Sequence, residues 1–100
     1  MARFGDLIDI EVPVLLEFYI EQDEISNTMY PLLKDVANAL GKKAKVIKID
    51  LEKNNKLAEA LRIKGAPTLM IYKRGEMKWR QSGDEDANSL IDRLKDFCEN

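Results

Sequence analysis

Few residues in this chain are equipped for chemistry. Histidine is absent, and the only thiol is Cys98. Without histidine there is no Ser-His-Asp or Cys-His relay, no imidazole metal ligand and no imidazole acid–base group. A single cysteine excludes an intrachain disulfide, a Cys-x-x-Cys redox pair and a thiolate zinc knot. Cys98 follows Leu94 and Phe97 on the apolar side of a C-terminal helical pattern. Two readings stay open for it: a small core residue, or a thiol near the chain end able to form a mixed or intermolecular disulfide. No cofactor and no metal are expected. The chemistry that is left belongs to carboxylates and lysines.

The elements that must position those groups follow from hydrophobic spacing. Phe4, Leu7, Ile8 and Ile10 suggest a short helix or turn with one apolar side. Val14–Ile20 is almost wholly apolar apart from Glu17, the pattern of a strand covered on both faces. Met29, Leu32, Leu33, Val36, Ala37 and Leu40 share one helix face, closed by Gly41 and interrupted by Pro31, which is expected to kink it. Lys45–Leu51 alternates as a second strand. Asn54 or Asn55 is placed to cap a short helix with Leu57, Ala60 and Leu61. Thr68–Tyr72 is a third strand, Lys73–Glu76 a tight turn with Gly75 at positive φ, and Met77–Ser82 its hairpin partner. By alternation Trp79 faces the same side as Met77 and Gln81. Asp84 or Asp86 opens a last helix with Leu90, Ile91, Leu94, Phe97 and Cys98 on one side. Strands separated by helices predict parallel crossovers, with an antiparallel edge from the closing hairpin.

One hundred residues, 45% apolar and 34% charged, suit one domain spanning 1–100. A net charge of −2 gives no basic surplus for nucleic acid or an anionic membrane, so neither is expected as a partner. The longest apolar stretch, Val12–Leu16, is too short to cross a bilayer, and no leader pattern is visible, which predicts a cytoplasmic protein.

The element order, with Gly65-Ala66-Pro67-Thr68 leading into Leu69-Met70-Ile71-Tyr72-Lys73-Arg74-Gly75-Glu76, resembles the thioredoxin family. Val14–Tyr19 resembles the strand before that family's active site, and Pro31 the proline of its long helix. Lys48 resembles a lysine beneath the site, Gly83 a glycine flanking the substrate groove, and Pro67 the cis-proline. The resemblance implies a three-layer α/β/α sandwich with a four-stranded mixed sheet. Too few residues precede Pro13 for the family's first strand, so Lys45–Leu51 is expected at a sheet edge.

The resemblance also marks what has been replaced. The Trp-Cys-Gly-Pro-Cys motif would fall on Gln22, Asp23, Glu24, Ile25 and Ser26, and all five positions differ. Asp23 would put a carboxylate cap where the first thiolate stood. Ser26 has no histidine to activate it, and Lys34 is two turns away. Glu17 matches the family's buried acid, and is expected to form a buried ion pair with Lys48; the other reading is a neutralised acid available for chemistry. The substrate groove would consist of Ile25, Ala66, Pro67 and Gly83, with Ala66 pairing through its backbone to an extended peptide. Glu21, Asp23 and Glu24 would face Asp84, Glu85 and Asp86, an acidic rim suited to a basic protein or peptide. Trp79 reads as a packing residue rather than an anchor. The uncovered Lys45–Leu51 edge leaves monomer and homodimer both open, although its lysines discourage self-pairing.

These observations predict a protein without dithiol redox chemistry, acting as a non-catalytic protein- or peptide-binding module around Asp23 and a cis-Pro67. The alternatives are thiol–disulfide exchange through Cys98, or a structural subunit of a complex.

Overall fold

The computed structural model describes residues 3–98. Helix α1 (Phe4–Ile8) precedes strand β1 (Val14–Tyr19), the long helix α2 (Glu24–Leu40) and a 3-10 turn (Gly41–Lys43). Strand β2 (Lys45–Asp50), helix α3 (Asn55–Ala60), the hairpin β3 (Thr68–Lys73) and β4 (Glu76–Ser82), and helix α4 (Ala87–Phe97) complete the order. Among the described residues no helix is long and apolar enough to cross a membrane.

The four strands lie in the order β2-β1-β3-β4, which puts β2 at an edge as expected. Strand β1 is buried on both faces, which explains its nearly unbroken apolar run. Leu15 packs with Met29, Leu33, Val36, Leu90 and Leu94 under α2 and α4. Val14, Leu16 and Phe18 turn the other way, into Ile8, Ile49, Leu51, Met70 and Tyr72 beneath α1 and α3. Glu17 therefore falls by alternation on the α2 face, in a row otherwise apolar.

Three details differ from the sequence expectation. Strand β3 runs antiparallel to β1, although a helix separates it from β2. The six residues of α3 rise about 9 Å, far less than the roughly 20 Å length of a strand. The chain therefore re-enters the sheet at the end where β2 left it, with Thr68 opposite Phe18. Trp79 and Met77 face opposite sides. Trp79 pairs with Ile71 and Met77 with Tyr72, so Lys78 is the extra residue of a bulge that reverses the alternation. Trp79 accordingly packs toward the α2–α4 core with the Arg93 guanidinium 4.7 Å over its ring, while Met77 is 42% exposed. Asn54 precedes α3 without making a side-chain cap bond; its amide donates instead to the Asp50 carbonyl at 2.9 Å.

The β3–β4 turn carries Gly75 at φ +82° and also Arg74 at φ +54°. Two consecutive positive φ values match the twist of a two-residue hairpin. Arg74 N–H and Gly75 N–H donate to Ile10 and Ile8 carbonyls, each at 3.0 Å, which ties the turn to the end of α1 and the segment after it.

Candidate functional site

The site is assembled where α2 begins, beside the start of β3. After β1 the chain turns at Glu21-Gln22, and Asp23 takes an extended conformation that stops it from joining the helix. Its carboxylate accepts from the Ser26 N–H at 2.8 Å, occupying one of the free donors of the first turn and complementing the positive end of the helix dipole. Asp23 thus performs the capping expected of it. Ser26 is buried, its Oγ accepting a long bond from Ile20 N–H at 3.4 Å. Among the described residues no basic side chain hydrogen-bonds that hydroxyl. Gln22 and Glu24 are exposed, and Ile25 is 51% exposed despite its apolar side chain.

Before β3, the Ala66–Pro67 peptide is cis, and Pro67 is buried. The Pro67 carbonyl accepts from Gly83 N–H at 2.8 Å, which anchors the β4–α4 connection to the start of β3. Gly83 sits at φ +102°, a conformation that suits glycine and little else. Ala66, Pro67 and Gly83 thus occupy two neighbouring connections, while Ile25 lies on the first turn of α2. Asp84 and Asp86 are exposed and Glu85 partly so. Asp86 is engaged as the α4 cap, accepting from Ser89 N–H at 2.7 Å; that bond holds its carboxyl below the usual range.

The buried acid behaves differently from the expected ion pair. Glu17 is fully buried, and neither carboxyl oxygen has a hydrogen-bond partner. Burial pushes its pKa from 4.5 up to about 7, with Lys48 opposing the rise. Lys48 is opposite Glu17 in the β1–β2 register, but its ammonium takes another course. It lies 4.5 Å from the Tyr19 ring centroid and 4.7 Å from that of Tyr30. Two aromatic faces offer the cation a partly solvated place, whereas joining Glu17 would bury both charges. Tyr19 and Tyr30 were the residues the sequence reading missed. Their signal was present: a tyrosine two positions from Glu17 on the same strand face, and another on the first turns of α2.

Cys98 lies at the other end of α4, at its C-cap, about 18 Å along the helix from Asp86. It is partly exposed, and its Sγ donates to the Lys43 carbonyl at 3.5 Å. That location is remote from Pro67 and Asp23. Among the described residues no group of three His, Cys, Asp or Glu side chains is placed to hold a metal ion.

The thioredoxin family model matches residues 2–96. The chain belongs to the thioredoxin family. It is 36% identical over 99 residues to the chloroplastic thioredoxin Y of Oryza sativa, covering 98% of this chain but 59% of that one. A thioredoxin-like protein of Synechocystis is 34% identical, over 96% of this chain and 92% of its own length. Thioredoxin of Rickettsia prowazekii is 29% identical over 88% of this chain and 84% of its own. Among solved structures, a mutant thioredoxin from Halobacterium salinarum superposes with a TM-score of 0.86 at 27% identity, over 100% of this chain and 89% of that one. The fold is therefore the thioredoxin-like α/β fold, with four helices and the mixed sheet β2-β1-β3-β4.

These relatives overturn the expectation of a non-catalytic binding module. They are named as thioredoxins, redox proteins, and nothing in the site points positively to binding without chemistry. The single cysteine remains consistent with the absence of a dithiol motif.

Proposed function

We propose that this thioredoxin-family chain serves thiol–disulfide redox chemistry as an acid–base catalyst, and that it does not itself cycle a dithiol. Glu17 is the group assigned to the proton. The observation that carries the reading is a fully buried carboxyl with no partner on either oxygen, titrating near neutrality behind the start of α2.

Exchange between sulfurs brought by others requires no sulfur from this chain. An incoming thiol at the start of α2 gives its proton, relayed through water, to the buried Glu17 carboxylate and becomes a thiolate. The thiolate attacks a disulfide, forming one S–S bond as another breaks. The departing thiolate then recovers the proton from Glu17, so atoms, electrons and catalyst are all restored. A group with pKa about 7 is suited to both halves at neutral pH, because it accepts and returns a proton with little driving force lost. Asp23 keeps the helix end closed and Ser26 fills the second motif position without competing as a nucleophile.

The test is exchange between glutathione and a peptide disulfide, followed with and without the protein across the neutral range. The expected result is a rate above the protein-free rate with a step near pH 7, absent in Glu17→Gln and retained in Cys98→Ser. A rate equal to the protein-free control overturns the proposal. Loss of the acceleration in Cys98→Ser also overturns it, since the thiol would then be the reacting group.

A further inference from the structure

The outer edge of β2 carries backbone hydrogen-bonding groups that neither the core nor the site uses. Lys45 N–H donates to the Pro13 carbonyl and Leu51 N–H to the Tyr19 carbonyl, each at 2.9 Å. With a strand period of two, odd-numbered residues turn their backbone groups toward β1, and Val46 and Lys48 turn theirs outward. Among the described residues no strand pairs with that side.

Two surfaces flank the edge. On the α2 side, Tyr30, Leu33, Ala37 and Val46 line an apolar cleft of about 180 Å³, with Lys34 and Lys48 at its rim. On the other side, Ile47 and Lys53 border a second, more polar hollow beneath α1. Charge separates this region from the rest of the molecule. Between residues 42 and 56 lie six lysines (42, 43, 45, 48, 53 and 56) against Asp50 and Glu52, in a chain of net charge −2. Asp50 is turned inward, accepting from the Glu52 and Lys53 N–H groups.

We infer that the β2 edge docks an extended acidic segment of a partner protein, added to the sheet as a further strand. Outward N–H and C=O groups of Val46 and Lys48 supply the backbone bonds. Apolar side chains of the added strand enter the Tyr30–Val46 cleft, and its acidic side chains, alternating to the opposite face, meet Lys45 and Lys53. A second copy of β2 is a poorer occupant, because it would bring its own Lys45 and Lys48 against these lysines. Nucleic acid or an anionic membrane would use the lysines but leave the strand bonds and the apolar cleft unused.

The experiment uses the whole chain and a fluorescently labelled peptide alternating glutamate with valine and phenylalanine. Binding is measured by anisotropy, with amide exchange read at Val46 and Lys48. The expected result is saturable binding that slows exchange at both amides and weakens about tenfold between about 50 and about 500 mM salt. Lys45→Glu with Lys53→Glu, both at exposed positions, should weaken binding about tenfold or more. Val46→Pro removes an outward N–H without touching the β1 ladder and should weaken it similarly. Should that variant fail to fold, the lysine double variant and the exchange data decide. Binding unchanged by the charge reversals, equal binding of the lysine counterpart peptide or of a single-stranded oligonucleotide, or a self-associated chain from which the peptide is excluded would overturn the inference.

Discussion

Glu17→Gln is the perturbation whose consequence is best defined. The carboxyl titrates at about 7 in the folded protein against 4.5 ordinarily. A proton is therefore held more tightly in the folded chain than in the unfolded one. Below about 4.5 both states carry the protonated acid and Glu17 imposes no ionisation penalty. As pH rises from 4.5 toward 7, the unfolded chain ionises freely while the folded one resists, so stability is lost across that interval. Above 7 the penalty is complete and level. At 1.36 kcal/mol for each pH unit between the two pKa values, it amounts to about 3 kcal/mol. That is a large share of the 5–15 kcal/mol expected of a folded domain.

Urea denaturation of wild type and Glu17→Gln, at pH 5 and again at pH 8, reads this directly. Other titrating groups, including the Asp86 cap, act equally in both proteins and cancel in the difference. Part of the penalty has already accrued at pH 5, so the variant should gain on wild type by about 2–3 kcal/mol between the two conditions, whatever fixed cost the buried amide brings. Parallel profiles would refute a carboxyl held neutral in the fold. A variant that loses ground as pH rises would show Glu17 stabilised as a carboxylate, and would restore the pair with Lys48.

Lys48→Met should move the Glu17 stability step to higher pH, because Lys48 is the group opposing its rise; carboxyl titration followed by NMR checks this. Asp23→Ala should cost about 1 kcal/mol in urea denaturation through loss of the Ser26 N–H cap, with Asp23→Asn recovering most of it. Leu15→Ala, in the fully buried layer between β1 and α2, should cost about 2–5 kcal/mol by the same measurement. Gly75→Ala places a Cβ at φ +82° and should lower the thermal midpoint by several degrees, although the nearest atom, an Asp9 carboxylate oxygen, stands at 3.7 Å.

The elements were legible because their burial matches their spacing. Val14–Phe18 is closed on both faces, and Met29, Leu33, Val36 and Leu40 mark one stripe of α2. What escaped reading depends on contacts between elements. Nothing local to Met77–Trp79 announces the extra residue at Lys78, since the bulge serves the pairing of β4 with Ile71 and Tyr72. Asn54 has a capping side chain but lies within reach of the Asp50 carbonyl, and a nearby acceptor outcompeted the cap. The position of Glu17 could be read, but its partner could not. The register does set Lys48 opposite it, yet a lysine ammonium on a flexible stem chooses among all acceptors around it, and two tyrosine faces lay closer to water.

That choice gives the acid its significance. A carboxyl paired with Lys48 would be a structural charge, fixed in one protonation state at neutral pH. With Lys48 drawn to Tyr19 and Tyr30, Glu17 is left in an apolar row between Leu15 and Tyr19, where burial outweighs the distant cation and neutrality is where it titrates. An apolar residue of similar volume would occupy this place without the roughly 3 kcal/mol ionisation penalty, so packing supplies no reason for an acid here. Asp23 and Ser26 satisfy the helix end without sulfur, which leaves proton transfer as the part of thiol–disulfide exchange for which this site has a suited group. Glu17→Leu separates the two roles. It should match or exceed wild-type stability at pH 8 while removing the neutral-pH step in the exchange rate, and a variant that kept both the stability and the step would leave the acid without a chemical role.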